Sequence, residues 1–535
     1  MGGVSPKVLA IFLDGYEPSL ECEMRGAGEL PALERLAATG STGQLRHGAA
    51  QRTGLAGEHV STGLDPEAAR RFAAIEFDPS SYHVRQVGTS LPTFVSYMAA
   101  PTVVFDAPYF DLAATPGARG IVNWGAHDPG VPTSARPDAL VAELEDRFGR
   151  YPASEFIYCN PWSSTTMCRQ MGESLAEAVD TRRDASIWML GERLPEWRFA
   201  LVSVSESHSA IEGLWHGIDP DHPLAGVPSA TPAGEGVRAV YRAIDRLVDA
   251  HVAAFPDATV LIFSMHGMGT NNSDVASMAL LPELLYRNDK GAQRLVAPDE
   301  WTQAPTGPPL VDSSSSWSST IRQTAWVASR SRSILRRSRK RLERAVGIGQ
   351  SGRSASGLEW MPATWYRDAW PGMRAFALPS YYDGRVRVNL AGRERRGVVA
   401  LEQYESVLDE TEDLVRSCRD PATGESVVRS VERTAASRGV DPSELGSSEA
   451  DLVVEWNGAF GFEHPAIGLI GPLPFKRTGG HTGPLGSVVI AGATTPERDL
   501  GVVSAFDIVP TIFALLGEEV PEGLSGEPLA ASFTG

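Results

Sequence analysis

Val8 to Leu13 is an unbroken apolar run closed by Asp14 and Gly15. Such a run has no polar face, so it predicts a strand buried on both sides within a parallel sheet. Comparable runs recur at Thr102–Phe105, Phe199–Val204, Thr259–Ser264 and Ser487–Ala491. Between them lie stretches of helical period. Leu30 to Ala37 is entered through Pro31, and Gly236 to Phe255 delivers the chain into the run before His266. Strands alternating with helices predict an α/β fold, a central mostly parallel sheet with helices on both faces. Gly384 to Leu390 alternates apolar and polar positions and predicts a half-buried strand, while Ala505 to Ile512 predicts a turn into a helix begun near Pro510.

The rhythm breaks between these blocks. Thr302 to Ser319 is rich in Ser, Pro and Gly and predicts a loop or linker. Arg330 to Arg344 is strongly basic, which suits a solvated helix, a mobile loop, or a contact for an anionic substrate. Residues 1–285 and 375–535 are therefore expected to form the core, with 286–374 an insertion or cap.

Composition narrows the function. A chain of 535 residues with 42% hydrophobic and 21% charged residues is an ordinary globular protein. A net charge of −18 disfavours general nucleic-acid binding but leaves room for a small phosphorylated substrate, because a bound cation overrides the global field locally. Cys22, Cys159, Cys168 and Cys418 form no paired metal or redox motif, and no stretch approaches the ~20 apolar residues of a membrane span. A soluble, cytoplasmic protein without a membrane partner is expected.

Chemistry collects at the ends of the predicted strands. Asp14 closes the first, and a carboxylate so placed needs a cation or strong donors, or else caps a turn. Thr53 follows Arg52 and precedes a predicted helix through Glu58, where its hydroxyl is either an N-cap or a nucleophile activated by a nearby cation. His266 follows the strand ending at Ser264, and His481 lies in the loop Gly479-Gly480-His481-Thr482-Gly483. If Glu206 to His216 is helical, His208 with Glu212 and Glu212 with His216 are two pairs four residues apart, a spacing that suits chelation of zinc or a similar ion.

In this order the motifs resemble the alkaline phosphatase superfamily, in its type I phosphodiesterase/nucleotide pyrophosphatase-like and phosphohydrolase/phosphomutase branch. Its carriers are the strand into Asp14-Gly15, Thr53 with Thr62-Gly63, Ser264-Met265-His266-Gly267-Met268 and Gly480-His481. The resemblance implies an alkaline-phosphatase-like sheet and a two-cation site. One cation would be held by Asp14, Thr53 and His266, with Met265 standing where the family's Asp-His pair has its aspartate and ligating zinc poorly. The other would take a carboxylate and a histidine four apart, matched best by Glu212 and His216 and in inverted order by His208 and Glu212, together with His481. One or two zinc ions are implied, with manganese also admitted. The implied activity is metal-dependent hydrolysis of a phosphate ester or phosphodiester through a covalent Thr53 intermediate. One alternative is a phosphoryl or sulfuryl transferase of a biosynthetic pathway using the same nucleophile, and another is a pseudoenzyme whose metal site is impaired by Met265. The expected partner is a small phosphorylated or sulfurylated molecule, faced by Arg52, His127, Asp128 and Asn271.

Overall fold

A computed structural model of the chain describes residues 6–89, 91–127, 132–303, 308–311, 315–327, 357–493 and 495–529. The chain divides into two compact units, one spanning 1–72, 88–270 and 478–535, the other 73–87 and 271–477.

The first unit is built on a nine-stranded sheet. Its strands are β1 (Lys7–Leu13), β2 (Ser41–Arg46), β3 (Thr102–Phe105), β4 (Ala118–Val122), β5 (Ser134–Arg136), β6 (Phe199–Val204), β7 (Ala258–Ser264), β10 (Leu485–Ala491) and β11 (Arg498–Ser504). Two further strands, β8 (Gly267–Thr270) and β9 (Gly479–Gly483), form a separate antiparallel ribbon. The order across the sheet is β11-β2-β10-β7-β1-β6-β3-β4-β5. From β7 to β4 the strands are parallel, with Ile11 opposite Val202 on one side and Ile262 on the other. The sheet is mostly parallel, as the apolar runs predict, but β10 is antiparallel to both neighbours.

Both faces are covered, which is why β1 has no polar positions. Leu9, Ile11 and Leu13 enter one core cluster; Val8, Ala10 and Phe12 enter another. The first cluster is closed by α2 (Thr165–Trp188) and α4 (Ala230–Ala254), through Leu175, Val179, Val240 and Leu247, and by α1 (Pro31–Thr39). The second is closed by α5 (Ile508–Leu516). Between β6 and α4 lies α3 (Glu206–Leu214), buried throughout.

The second unit carries a four-stranded antiparallel sheet in the order Ala375–Leu378, Gly384–Val388, Leu452–Trp456, Val428–Arg433. Gly384–Val388, expected half-buried, is buried at every position. The reason is ion pairing: Arg387 Nε meets Glu394 Oε1 at 2.8 Å, and Arg393 holds the same carboxylate and Asp451. The described part of 286–374 falls in this unit, and the basic run Arg330–Arg344 lies outside the described residues. Among the described residues, no helix is long and apolar enough to cross a membrane.

Candidate metal centre

Parallel strands end together, so the loops after β1, β6 and β7 open on one edge of the sheet, where ligands of α/β folds bind. Asp14 leaves β1 with its N–H donated to Val204 O (2.9 Å), and Ser207 Oγ donates to Asp14 O (2.7 Å). Gly15 has φ +60°, and a Cβ there would lie 2.5 Å from His208 Cα. Only glycine lets α3 close against this turn.

His208 and Glu212 lie one turn apart on α3, with Nε2 of His208 3.4 Å from Glu212 Oε1. The other face of the His208 ring is met by Asp14 Oδ2, 3.0 Å from Nδ1. His127, from the loop after β4, stacks on His208 with centroids 3.7 Å apart. Its Nε2 is 3.3 Å from Glu212 Oε2 and its Nδ1 is 3.0 Å from Ser209 Oγ. His481 on β9 bridges α3 and the turn after β7: its Nε2 is 2.8 Å from His208 Nε2 and its Nδ1 is 3.2 Å from His266 Nε2. Thr478 N–H donates to Glu212 O (2.8 Å), and a Cβ on Gly479 would lie 2.3 Å from Ile211 O, so β9 sits directly against α3.

A buried charge network lies beneath. Arg182 of α2 donates to both oxygens of Glu206, and its NH1 lies 2.8 Å from Asp106, the residue that closes β3. Asp106 also accepts from the Trp124 and Gly125 N–H groups (2.6 and 2.8 Å). One guanidinium thus ties the loop carrying His127 to the start of the helix carrying His208. The sequence reading missed these three residues, although Val103-Val104-Phe105-Asp106 repeats the pattern that singled out Asp14.

Thr53 ends the short turn Gly48–Thr53 and is buried. Its hydroxyl donates to Ala50 O (2.7 Å) and accepts from Leu55 N–H (3.2 Å). Two contacts hold this turn beside the histidines. Gln51 Nε2 donates to His481 O and Gly483 O, each at 2.9 Å, and His47 stacks on His266 with centroids 5.5 Å apart. Arg52 is half-buried in the same turn.

One expected residue is not brought to this cluster. The α-helix ends at Leu214 and passes into a 3-10 turn, Trp215–Gly217, which carries His216 away to Ser229 Oγ (3.2 Å). Of the two register choices, the geometry favours His208 with Glu212. Asn271 opens the second unit, where its side-chain oxygen accepts from Ser273 and Asp274 N–H. Asp128 lies outside the described residues. Met265 packs in the apolar core beside Phe263.

Electrostatics favour a positive charge at this place. Burial lowers His266 to about 4 and holds His127 below its ordinary value. For His208 burial acts in the same direction, but Asp14 and Glu212 outweigh it and push the ring up to about 10. Burial raises Asp14, and the surrounding histidines, His208 foremost, bring it below the usual carboxylate range. The carboxylates call for a cation at His208, and a divalent ion meets that demand more strongly than a proton. The donor set fits one: ligand atoms of His127, His208 and Glu212 lie within 4.8 Å of one another, all buried.

The family model for type I phosphodiesterase / nucleotide pyrophosphatase matches residues 8–315. No curated protein matches the chain. Among solved structures, phosphonoacetate hydrolase from Sinorhizobium meliloti 1021 in complex with phosphonoformate is 14% identical, with 96% of this chain and 95% of that chain covered and a TM-score of 0.48. Human ectonucleotide pyrophosphatase / phosphodiesterase 5 is 10% identical, with 96% of each chain covered and a TM-score of 0.42. The murine protein is 10% identical over 97% of each chain, with a TM-score of 0.44.

Proposed function

The chain belongs to the type I phosphodiesterase / nucleotide pyrophosphatase family of phosphohydrolases, and from that membership we propose that it hydrolyses a phosphate ester or diester of a small molecule, with Thr53 as nucleophile beside a divalent cation. The observation that carries the reading is the pairing of two features on one sheet edge. Buried ligand atoms of His127, His208 and Glu212 converge there, and the Thr53 turn is fastened to the His481 strand through Gln51.

His127, His208 and Glu212 would hold the cation, and imidazoles with a carboxylate favour zinc or a first-row neighbour over magnesium or calcium. When bound, it supplies Lewis-acid stabilisation of the charge that develops on the phosphoryl oxygens. The remaining work falls to the chain itself. Leu55 N–H, 3.2 Å from Thr53 Oγ1, favours the oxygen as it becomes anionic. Arg52 supplies a guanidinium for the phosphate oxygens. In the first half-reaction an Oγ1–P bond forms, the bond from phosphorus to the leaving oxygen breaks, and the Thr53 proton goes to that oxygen. Water then attacks phosphorus, the Oγ1–P bond breaks to release the phosphate product, and a proton from that water returns to Thr53 Oγ1.

Turnover of 4-nitrophenyl phosphate and bis(4-nitrophenyl) phosphate by zinc-loaded protein tests this. Thr53→Ala is expected to lose at least about a thousandfold in kcat/KM. A Thr53→Ala variant working at the wild-type rate would overturn the covalent route.

A further inference from the structure

Thr53 sits between elements too short to hold themselves in place. The turn Gly48–Thr53 has six residues and the helix after it, Ala56–Thr62, has seven, and neither has a side-chain cap at its N-terminus. Segments of this length persist only where the rest of the fold fixes them. The helix is fixed from its far side: Ser61 Oγ donates to Pro108 O (2.7 Å), and Glu58 pairs with Arg71 at 2.8 Å. The turn, for its part, follows β2 of the sheet. A pair of histidines joins these two anchored ends.

His47 directly precedes the turn and His59 lies in the helix, twelve residues further on, with Thr53 midway between them. His47 Nε2 and His59 Nδ1 are 2.8 Å apart, and the ring of Phe506 packs against both at 5.5 Å. The bond closes residues 47–59 into a loop. Both groups that orient Thr53 Oγ1, Ala50 O and Leu55 N–H, lie inside it. His59 N–H also donates to Leu55 O (2.9 Å), so Leu55 is tied to His59 on one side and to Thr53 Oγ1 on the other.

Stability does not account for this pair. Both rings are buried, and His47 Nδ1 and His59 Nε2 have no hydrogen-bond partner among the described residues. A buried polar atom without a partner costs at least as much as one hydrogen bond returns, so two apolar side chains beside Phe506 would serve the core as well or better. What the imidazoles supply, and apolar packing does not, is a contact of fixed length and direction across the turn.

We propose that His47 and His59 are positioning residues for the nucleophile: their bond closes the loop that carries Thr53 and keeps Oγ1 aimed for attack. This deepens the reading of Thr53 as the nucleophile and rests on it, but not on which side chains hold the cation.

The test separates aim from stability, using full-length, zinc-loaded protein and bis(4-nitrophenyl) phosphate. The double variant His47→Leu/His59→Leu is expected to unfold in urea at the wild-type midpoint or above it, with zinc affinity and KM within about twofold of wild type. Its kcat is expected to fall roughly 10- to 100-fold, the penalty of a misplaced reacting atom. His59→Asn puts an amide where Nδ1 lies and is expected to keep kcat within about threefold of wild type, whereas His59→Leu is expected to lose it as the double variant does. A double variant with wild-type kcat, or His59→Asn as slow as His59→Leu, would overturn the proposal. If the double variant does not fold, the two single variants carry the comparison. Should Thr53→Ala turn over at the wild-type rate, the covalent reading fails, and the loop is then read by amide hydrogen exchange across residues 48–55. Faster exchange in His59→Leu than in His59→Asn is expected there, and equal exchange overturns the clamp itself.

Discussion

Arg182 is fully buried, with two carboxylates on its guanidinium. Its removal leaves Asp106 and Glu206 as like charges in the interior, and breaking a buried pair from one side costs about 3–5 kcal/mol. Arg182→Met is therefore expected to lower the unfolding free energy by that order in a urea titration. Arg182→Lys should recover little, since an ammonium cannot make the forked contact with Glu206 while reaching Asp106. Near-wild-type stability of either variant would show that the network is not what holds the two loops. Sequence alone does not mark this residue. Arg182 and Arg183 are adjacent on the same helix, and only packing separates the buried one from its neighbour, half-buried with ion pairs to Asp180 and Asp184. His208 and His216 pose the same difficulty. Both lie four residues from Glu212, and the end of α3 at Leu214 decides between them.

At the scale of elements, the strands that position the site were legible because burial on both faces writes a continuous apolar run. β1, β3, β6 and β7 all lie where those runs predict. β2 and β11 were not, because Ser-Thr-Gly-Gln-Leu-Arg and the edge strand Arg498–Ser504 carry polar side chains and are specified by partner strands. The turn after β1 is legible in its glycine but not in its reason, which is the approach of α3. Gly15→Ala sets a methyl 2.5 Å from His208 Cα and forces alanine to φ +60°, a conformation that costs about 1–2 kcal/mol before any clash. It is expected to destabilise the protein by more than that and to weaken cation binding. Gly26→Ala is its control: it is exposed, a Cβ there meets nothing within 4 Å, and alanine is expected to be neutral or mildly stabilising. Equal thermal shifts in the two variants would refute the steric account of Gly15.

Both units bury arginine–carboxylate pairs, but the first also buries neutral histidines, and these give the whole molecule a pH dependence. The second relies on arginine–carboxylate pairs such as Arg477 with Asp274 and Arg393 with Asp451. The first buries neutral histidines. Burial holds His59 and His216 at about 3, and His251, wedged between α4 and Ser186 of α2, at about 4. A histidine depressed in the folded state stays neutral while its unfolded counterpart, near 6.5, takes a proton. Stability is therefore unaffected above about pH 6.5 and falls as pH drops below it, by about 1.4 kcal/mol per pH unit for each such histidine, until the folded value is reached. For His251 alone the loss between pH 6.5 and 4 amounts to roughly 3 kcal/mol. His251→Gln keeps a polar group at the helix contact and cannot titrate in this range. Urea unfolding from pH 7 to 4.5 is expected to show a shallower fall for His251→Gln than for the wild type, by about one proton's worth of slope, whatever the two stabilities are at pH 7. Parallel curves would mean that the buried ring takes up its proton in the folded state and that acid loosens the packing of α2 on α4 without unfolding it.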